Sequence, residues 1–373
     1  MFNTTHTLAG LALARLGLDR HAPYALWTAA IAANLPDIDI VYAFDSTAAY
    51  LQHHRGITHA IVGVIGLAFL VPLIFYAVDH FGSRFRNQAP TTKLKGLLIA
   101  SFIASATHPF LDWTNNYGIR FFLPWSQKWS YGDFVFIVDP YLWLILGGAA
   151  FLLTAKTRFY KTIWALIAAG LSFLIIVSPR GNALPNPRLI ALLWIVTLIA
   201  LIVLFVRDAG ERWGSRIAFV AIALSLCYWT FLAFAHSKAV ARGSEEAAKI
   251  ATANGETVAR LAAMPRPANA FRWDCVFETD RAMYRFELGL MDENPAGPPV
   301  RYAKPRPELV NTVSGQRPGR VFLGFARFPV MQLSDPGCTT RTLVQLADLR
   351  YTEPGGSRGN FAFELPIDCP RER

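Results

Sequence analysis

Long apolar runs broken by short polar turns fill the first two-thirds of the chain, and a different pattern follows them. Six stretches are apolar over about 20 residues, the length that crosses a bilayer as a helix. They are 57–78, 96–113, 134–154, 162–178, 189–206 and 217–235. Two weaker segments, 5–18 and 23–41, precede them, and the first is too short to span unaided. The pattern predicts about eight helices, the first short, and then a polar helical stretch over 239–264. After Pro265 and Pro267 the period drops to two. Phe271-Arg-Trp273-Asp-Cys275-Val-Phe277, Tyr284-Arg-Phe286-Glu-Leu288 and Phe361-Ala-Phe363-Glu-Leu365 alternate as half-buried strands do. Residues 321–328 and 342–351 are further expected strands, and Pro/Gly-rich stretches at 294–299 and 353–359 separate the set. The expected architecture is a polytopic α-helical membrane protein with a small C-terminal antiparallel β domain. Its parts are a membrane-embedded domain over 1–236, a helical linker over 237–264 and a soluble β-rich domain over 265–373.

Composition sharpens this division. The 373 residues are 53% hydrophobic and 17% charged. Residues 1–236 hold 17 Lys/Arg and 10 Asp/Glu, whereas the shorter remainder holds 19 and 16. That asymmetry excludes a soluble single-domain protein and a disordered chain. The net charge of +10 sits mainly in the apolar part, where it controls topology, so membrane lipids rather than nucleic acid are the expected partners. Basic residues gather in alternate loops: Arg84, Arg86, Lys93 and Lys95, then Lys156, Arg158 and Lys161, then Arg207, Arg212 and Arg216. The intervening loops hold only Arg120 and Lys128, or Arg180 and Arg188. Positive loops stay inside, so both termini are expected to face outward. The start lacks the basic region of a cleavable signal peptide. None of the four cysteines forms a C-x-x-C pair, which argues against a thiolate zinc site. Cys338 and Cys369 both lie in turn-like sequence and are the expected disulfide if the tail faces an oxidising compartment.

An ionisable group in a membrane segment is costly unless it is paired or used. Asp37, Asp39, Asp45, Asp112, Asp133 and Asp139 all fall on the expected outer side, and so do His6, His53, His54, His59 and His108. The topology rests on Lys and Arg alone, so this gathering is independent of it. His108-Pro-Phe-Leu-Asp112 sets an imidazole and a carboxylate one helical turn apart. His54-Arg-Gly-Ile-Thr-His59 carries two imidazoles across a glycine, and Asn34-Leu-Pro-Asp37-Ile-Asp39 carries two carboxylates beyond a helix-ending proline. Each run alone has a plainer reading: a hydrogen-bonded pair, interfacial histidines or a helix cap. Together on one face they favour one or two divalent ions, with zinc expected and manganese or iron also suited to carboxylates. Asp133 or Asp139 could then serve as general base, and Arg55 could meet a phosphate or carboxylate oxygen. His21, His80 and His236 lack such company and read as structural.

These runs, with the early His6-Thr-Leu-Ala-Gly10, resemble the YdjM family of bacterial inner-membrane metal-dependent hydrolases over about residues 1–155. The resemblance implies a bound divalent metal, hydrolase chemistry and a place in the inner membrane. It carries over His6, Asp37, Asp39, His54, His59, His108 and Asp112 as ligands, but no substrate. Between 113 and 131 the aromatic residues Trp113, Tyr117, Phe121, Phe122, Trp125, Trp129 and Tyr131 crowd around Arg120 and Lys128. An interfacial belt explains most of them, and a belt beside a metal site also suits an amphiphilic substrate. The expected function is hydrolysis of a phosphoester in a lipid or lipid-linked molecule at the periplasmic interface. The alternatives are a metal-dependent amidase or peptidase, or a non-enzymatic metal-stabilised scaffold whose β domain binds a partner. No G-x-S-x-G elbow, P-loop or H-E-x-x-H run is present.

Overall fold

A computed structural model describes residues 1–20, 22–177, 187–294, 296–338, 340–356 and 359–368. The chain divides into two compact units. The first comprises Met1–Ile38, Ile57–Leu232 and Arg266–Asn269, and the second Asp39–Gly56, Ala233–Pro265 and Ala270–Arg373.

In the first unit, α1 (Asn3–Arg15) packs against α2 (Ala25–Ala32), α5 (Leu94–Trp113) and α6 (Pro140–Thr154). α2 also meets α5 and α4 (Ile61–Phe85). Their common core is built mainly from alanine: Ala14, Ala25, Ala29, Ala32, Ala33, Ala100 and Ala104, with Leu97 and Val71. Small side chains let helix backbones approach closely where lipid provides no hydrophobic drive between helices. Gly10 shows how close. A Cβ there would stand 2.7 Å from the Ala29 carbonyl oxygen.

Among the described residues, five helices are long and apolar enough to cross a membrane: α4, α5, Arg158–Ile176, Arg188–Val206 and Ser215–Ala253. α6 is a shorter apolar helix. Arg158–Ser172 is α7, Pro187–Val206 is α8, and α9 (Ala209–Trp213) precedes α10 (Ser215–Ala253). Leu192, Val196 and Ile199 of α8 are exposed, as a face turned to lipid would be. The expected span over 134–154 begins only at Pro140. Asp139 caps the helix there, and a proline in the first turn has no N–H to leave unsatisfied. The weaker segment 23–41 is α2 followed by a 3-10 helix, Leu35–Phe44, because Pro36 interrupts it.

The second unit contains α3 (Thr47–His53), a four-stranded sheet and a three-stranded sheet. The larger sheet has the order β1 (Val258–Arg266), β2 (Asn269–Thr279), β3 (Ala282–Gly289), β4 (Val300–Ala303). β2 and β3 pair antiparallel, Cys275 opposite Phe286 and Phe277 opposite Tyr284. The smaller sheet is β5 (Pro329–Leu333), β6 (Arg341–Asp348), β7 (Ala362–Asp368), also antiparallel.

The last apolar span and the start of the polar helical stretch form one element, α10, which runs unbroken for 39 residues. Two expectations change. The linker is not helical to 264, because Gly255 stops α10 with φ +65° and β1 starts at Val258. Residues 321–328 are not a strand. α12 (Arg317–Phe325) follows α11 (Pro307–Gly315), with Pro318 in its first turn and Phe322 and Phe325 buried three residues apart. Cys338 is disulfide-bonded, whereas Cys227 and Cys275 are free. Its expected partner Cys369 lies outside the described residues, as does Ser178 at the end of one expected span.

Candidate metal centre

The end of α2 builds the site. A helical carbonyl normally accepts from the N–H three or four residues on. Three residues beyond Ala33 stands Pro36, which has no N–H. The Asp37 N–H turns instead to the Asn34 carbonyl at 3.1 Å. The Ala33 carbonyl is thus left for α5, and the buried His108 ring donates its Nδ1–H to it at 2.6 Å. Ser105, one turn earlier on α5, donates to the Ala32 carbonyl at 3.2 Å. The carbonyl selects the Nδ1–H tautomer of His108 and leaves a lone pair on Nε2.

Three other side chains converge on that lone pair. His59, just before α4, places Nε2 at 3.1 Å from His108 Nε2, with its own Nδ1 at 3.1 Å from Thr58 Oγ1. Asp112, one turn after His108, sets Oδ2 at 3.3 Å from both Nε2 atoms. Asp37 Oδ1 lies 3.2 Å from His59 Nε2 and 3.6 Å from His108 Nε2. The four donor atoms lie within 4.8 Å of one another. A tetrahedral ion with bonds of about 2.0–2.1 Å holds its ligands about 3.3 Å apart. These five donor-to-donor separations, 3.1 to 3.6 Å, bracket that edge.

Unsatisfied polarity tests whether an ion fits. Asp37 Oδ2 is buried without a hydrogen-bond partner among the described residues. The two Nε2 atoms face each other, and one proton at most can sit between them. Two carboxylates gathered on two buried imidazoles call for positive charge; the amino group of Met1 bonds Asp112 Oδ1, and Asp37 Oδ2 is left for an ion. Two nitrogens and two oxygens are a donor set that zinc, manganese and iron accept. The cluster can hold a metal ion.

His6 belongs beside this cluster rather than among its four donors. Its ring stacks on His108 at 3.8 Å, Nε2 lies 3.4 Å from Asp112 Oδ1, and neither ring nitrogen has a hydrogen-bond partner among the described residues. Asp39 and His54 lie in the second unit and bind each other, Oδ1 to Nδ1 at 2.9 Å. Asp39 Oδ2 accepts the Arg55 N–H at 3.0 Å, and the buried Arg55 has φ +52°. Asp139 is committed to α6: Oδ1 accepts from Tyr141 N and Leu142 N at 2.9 and 3.1 Å, and Oδ2 from the Tyr228 hydroxyl at 2.9 Å. Asp133, buried with φ +59°, sits where Gly132 N and Phe134 N bond back to the carbonyls of Trp113 and Thr114.

The access side was not evident from the sequence. Asp37 has a side chain 11% exposed, whereas those of His6, His59, His108 and Asp112 are at most 1%. Asp37 also lines an open cleft of about 450 Å³ shared by α1, α2 and the start of the 3-10 helix. The one sequence signal for this arrangement is Pro36, which both ends α2 and frees the carbonyl.

Residues 1–183 match the family described as YdjM inner membrane protein. This bears out the resemblance read from the motifs and extends it beyond residue 155. The chain is also 28% identical over 148 residues to the "Uncharacterized protein YfhP" of Bacillus subtilis (strain 168). That match covers 38% of this chain and 42% of the relative's length. No solved structure matches.

Proposed function

We propose that this chain, with its YdjM inner-membrane-protein segment over residues 1–183, is a membrane-bound metal-dependent hydrolase. Its substrate on this reading is a phosphoester in a lipid or lipid-linked molecule. The observation that carries the proposal is the tetrahedral set of Asp37, His59, His108 and Asp112 opening onto a cleft through Asp37. Zinc suits the set best, because two imidazoles and two carboxylates at tetrahedral edges match its habit. A bound divalent ion supplies Lewis-acid polarisation of a phosphoryl oxygen and acidifies a water. The chain's own groups do the rest. The Ala33 carbonyl keeps the His108 proton on Nδ1, and the His6 ring stacks on His108 and holds it in place. Asp37, at the rim, is the group nearest an incoming head group. The charge bias of the loops supports an inner-membrane protein with this site on the periplasmic face.

One observation favours a second reading. Four protein donors fill a tetrahedral shell, as structural ions require, whereas catalytic ions keep a position open. A metal-stabilised scaffold has that closed shell. Elemental analysis of the purified protein, with turnover of a soluble aryl phosphodiester and of a native lipid extract, separates the two. Metal with turnover that is lost in Asp37→Asn supports the hydrolase. Metal without turnover on either substrate supports the scaffold.

A further inference from the structure

The cleft beside Asp37 has a shape and a polarity of its own. Trp27, Ile31 and Leu35 recur every four residues, so the sequence lays an apolar stripe along α2 and its exit, and Ile38 extends it. Trp27, Ile31 and Ile38 are 48%, 43% and 52% exposed, although the opposite face of α2 is buried alanine. The cleft of about 450 Å³ falls in the range of small-molecule sites, roughly 300–1,000 Å³. Its polar end is ordered: Asn34 Nδ2 donates to Thr7 Oγ1 at 2.9 Å and to the Ala30 carbonyl at 2.8 Å. Asp37, with one oxygen in the metal cluster, closes that end.

We infer that this cleft binds one hydrocarbon chain of a membrane amphiphile along Trp27, Ile31, Leu35 and Ile38, with its polar head at Asn34 and Asp37. An apolar wall in a membrane unit ending at a polar, metal-competent site fits a molecule with the same two-part chemistry. A soluble sugar phosphate would leave the wall bare, and a plain hydrocarbon would leave Asn34 and Asp37 unmatched. The inference rests on the hydrolase reading for what happens at the head, but the binding itself does not need turnover.

Full-length protein in phosphatidylglycerol vesicles, doped with a phosphatidylglycerol bearing a diazirine in one acyl chain, tests it by photolabelling and peptide mapping. Labelling of the 25–38 segment is expected to saturate and to be displaced by unlabelled single-chain amphiphile. It should drop about tenfold in Ile31→Trp, which fills the cleft, and in Ile38→Asp, which charges it. Retained metal content certifies each variant as folded. Labelling of 25–38 that is unsaturable and no stronger than that of α8, or unchanged in both folded variants, would overturn the inference. Wild-type turnover of the soluble aryl phosphodiester, run in parallel, reports on the hydrolase reading alone. Saturable labelling without turnover leaves the cleft assignment standing and removes the hydrolysis.

Discussion

Histidine and aspartate are cheap to place in water and costly to place in apolar helices, so their positions carried most of the information about the site. His59, His108, Asp112 and Asp37 were legible from spacing and sidedness, and the structure brings these four together. A run such as His54 to His59 fixes sequence distance, not direction. His54 pairs with Asp39, while His59 turns to His108. This yields a prediction that separates donors from neighbours. His59→Ala and His108→Ala should each lose most of the bound metal, whereas His6→Ala should keep it, since His6 stands beside the four donors rather than among them. Elemental analysis of the three variants reads the result. Wild-type metal in His59→Ala and His108→Ala would sink the cluster as a site.

Helices and strands were legible to the extent that one face of each is apolar at a single period. Residues 321–328 misled because valine and phenylalanine favour strands, while burial of Phe322 and Phe325 in α12 follows the helical period instead. Capping decides α6. Asp139 serves that helix and Tyr228 together, so Asp139→Ala should lower thermal stability by about 1 kcal/mol or more without changing metal content. An unchanged melting temperature would refute the capping role. In the β unit, Glu256 accepts from Thr279 Oγ1, the Tyr284 hydroxyl and Arg301 Nη2 at 2.7 to 3.0 Å, joining β2, β3 and β4. Burial pushes its carboxyl up, but these three donors outweigh it and hold the group below its ordinary 4.5. The folded state therefore gains stability above about pH 4.5 and loses it as pH falls below that value. Glu256→Gln should flatten this acid-side loss in melts followed by tryptophan fluorescence. An equally steep loss in the variant would place the acid sensitivity elsewhere.

At the level of the whole chain, charge asymmetry announced a membrane part and a water-exposed part, and five helices among the described residues are long and apolar enough to cross a membrane. Periodicity could not show that α10 continues past its apolar half, because the apolar pattern ends near Ala235 and Gly243 stands in the polar stretch that follows. Orientation remains a prediction of the loop charges. A periplasm-active reporter should work when fused after Ala239 and fail within Arg84–Lys95. On that orientation the Cys338 disulfide survives in protein isolated from native membranes, with Cys275 still a buried free thiol. A free Cys338 thiol by mass mapping, or the reverse reporter pattern, would turn the tail to the reducing side.

Pro36 acts through a hydrogen atom that it lacks. Give that position an N–H, as in Pro36→Ala, and the Ala33 carbonyl acquires a rival suitor within its own chain turn. Part of the His108 population then loses its reason to keep the proton on Nδ1. Those molecules present a proton where a lone pair is needed, so metal affinity should fall about tenfold although no donor atom has been touched. Imidazole nitrogen chemical shifts would report the mixture directly. A survey of substitutions that scored only contacts with the ion would pass over this residue, whose influence is exerted by vacating a bond.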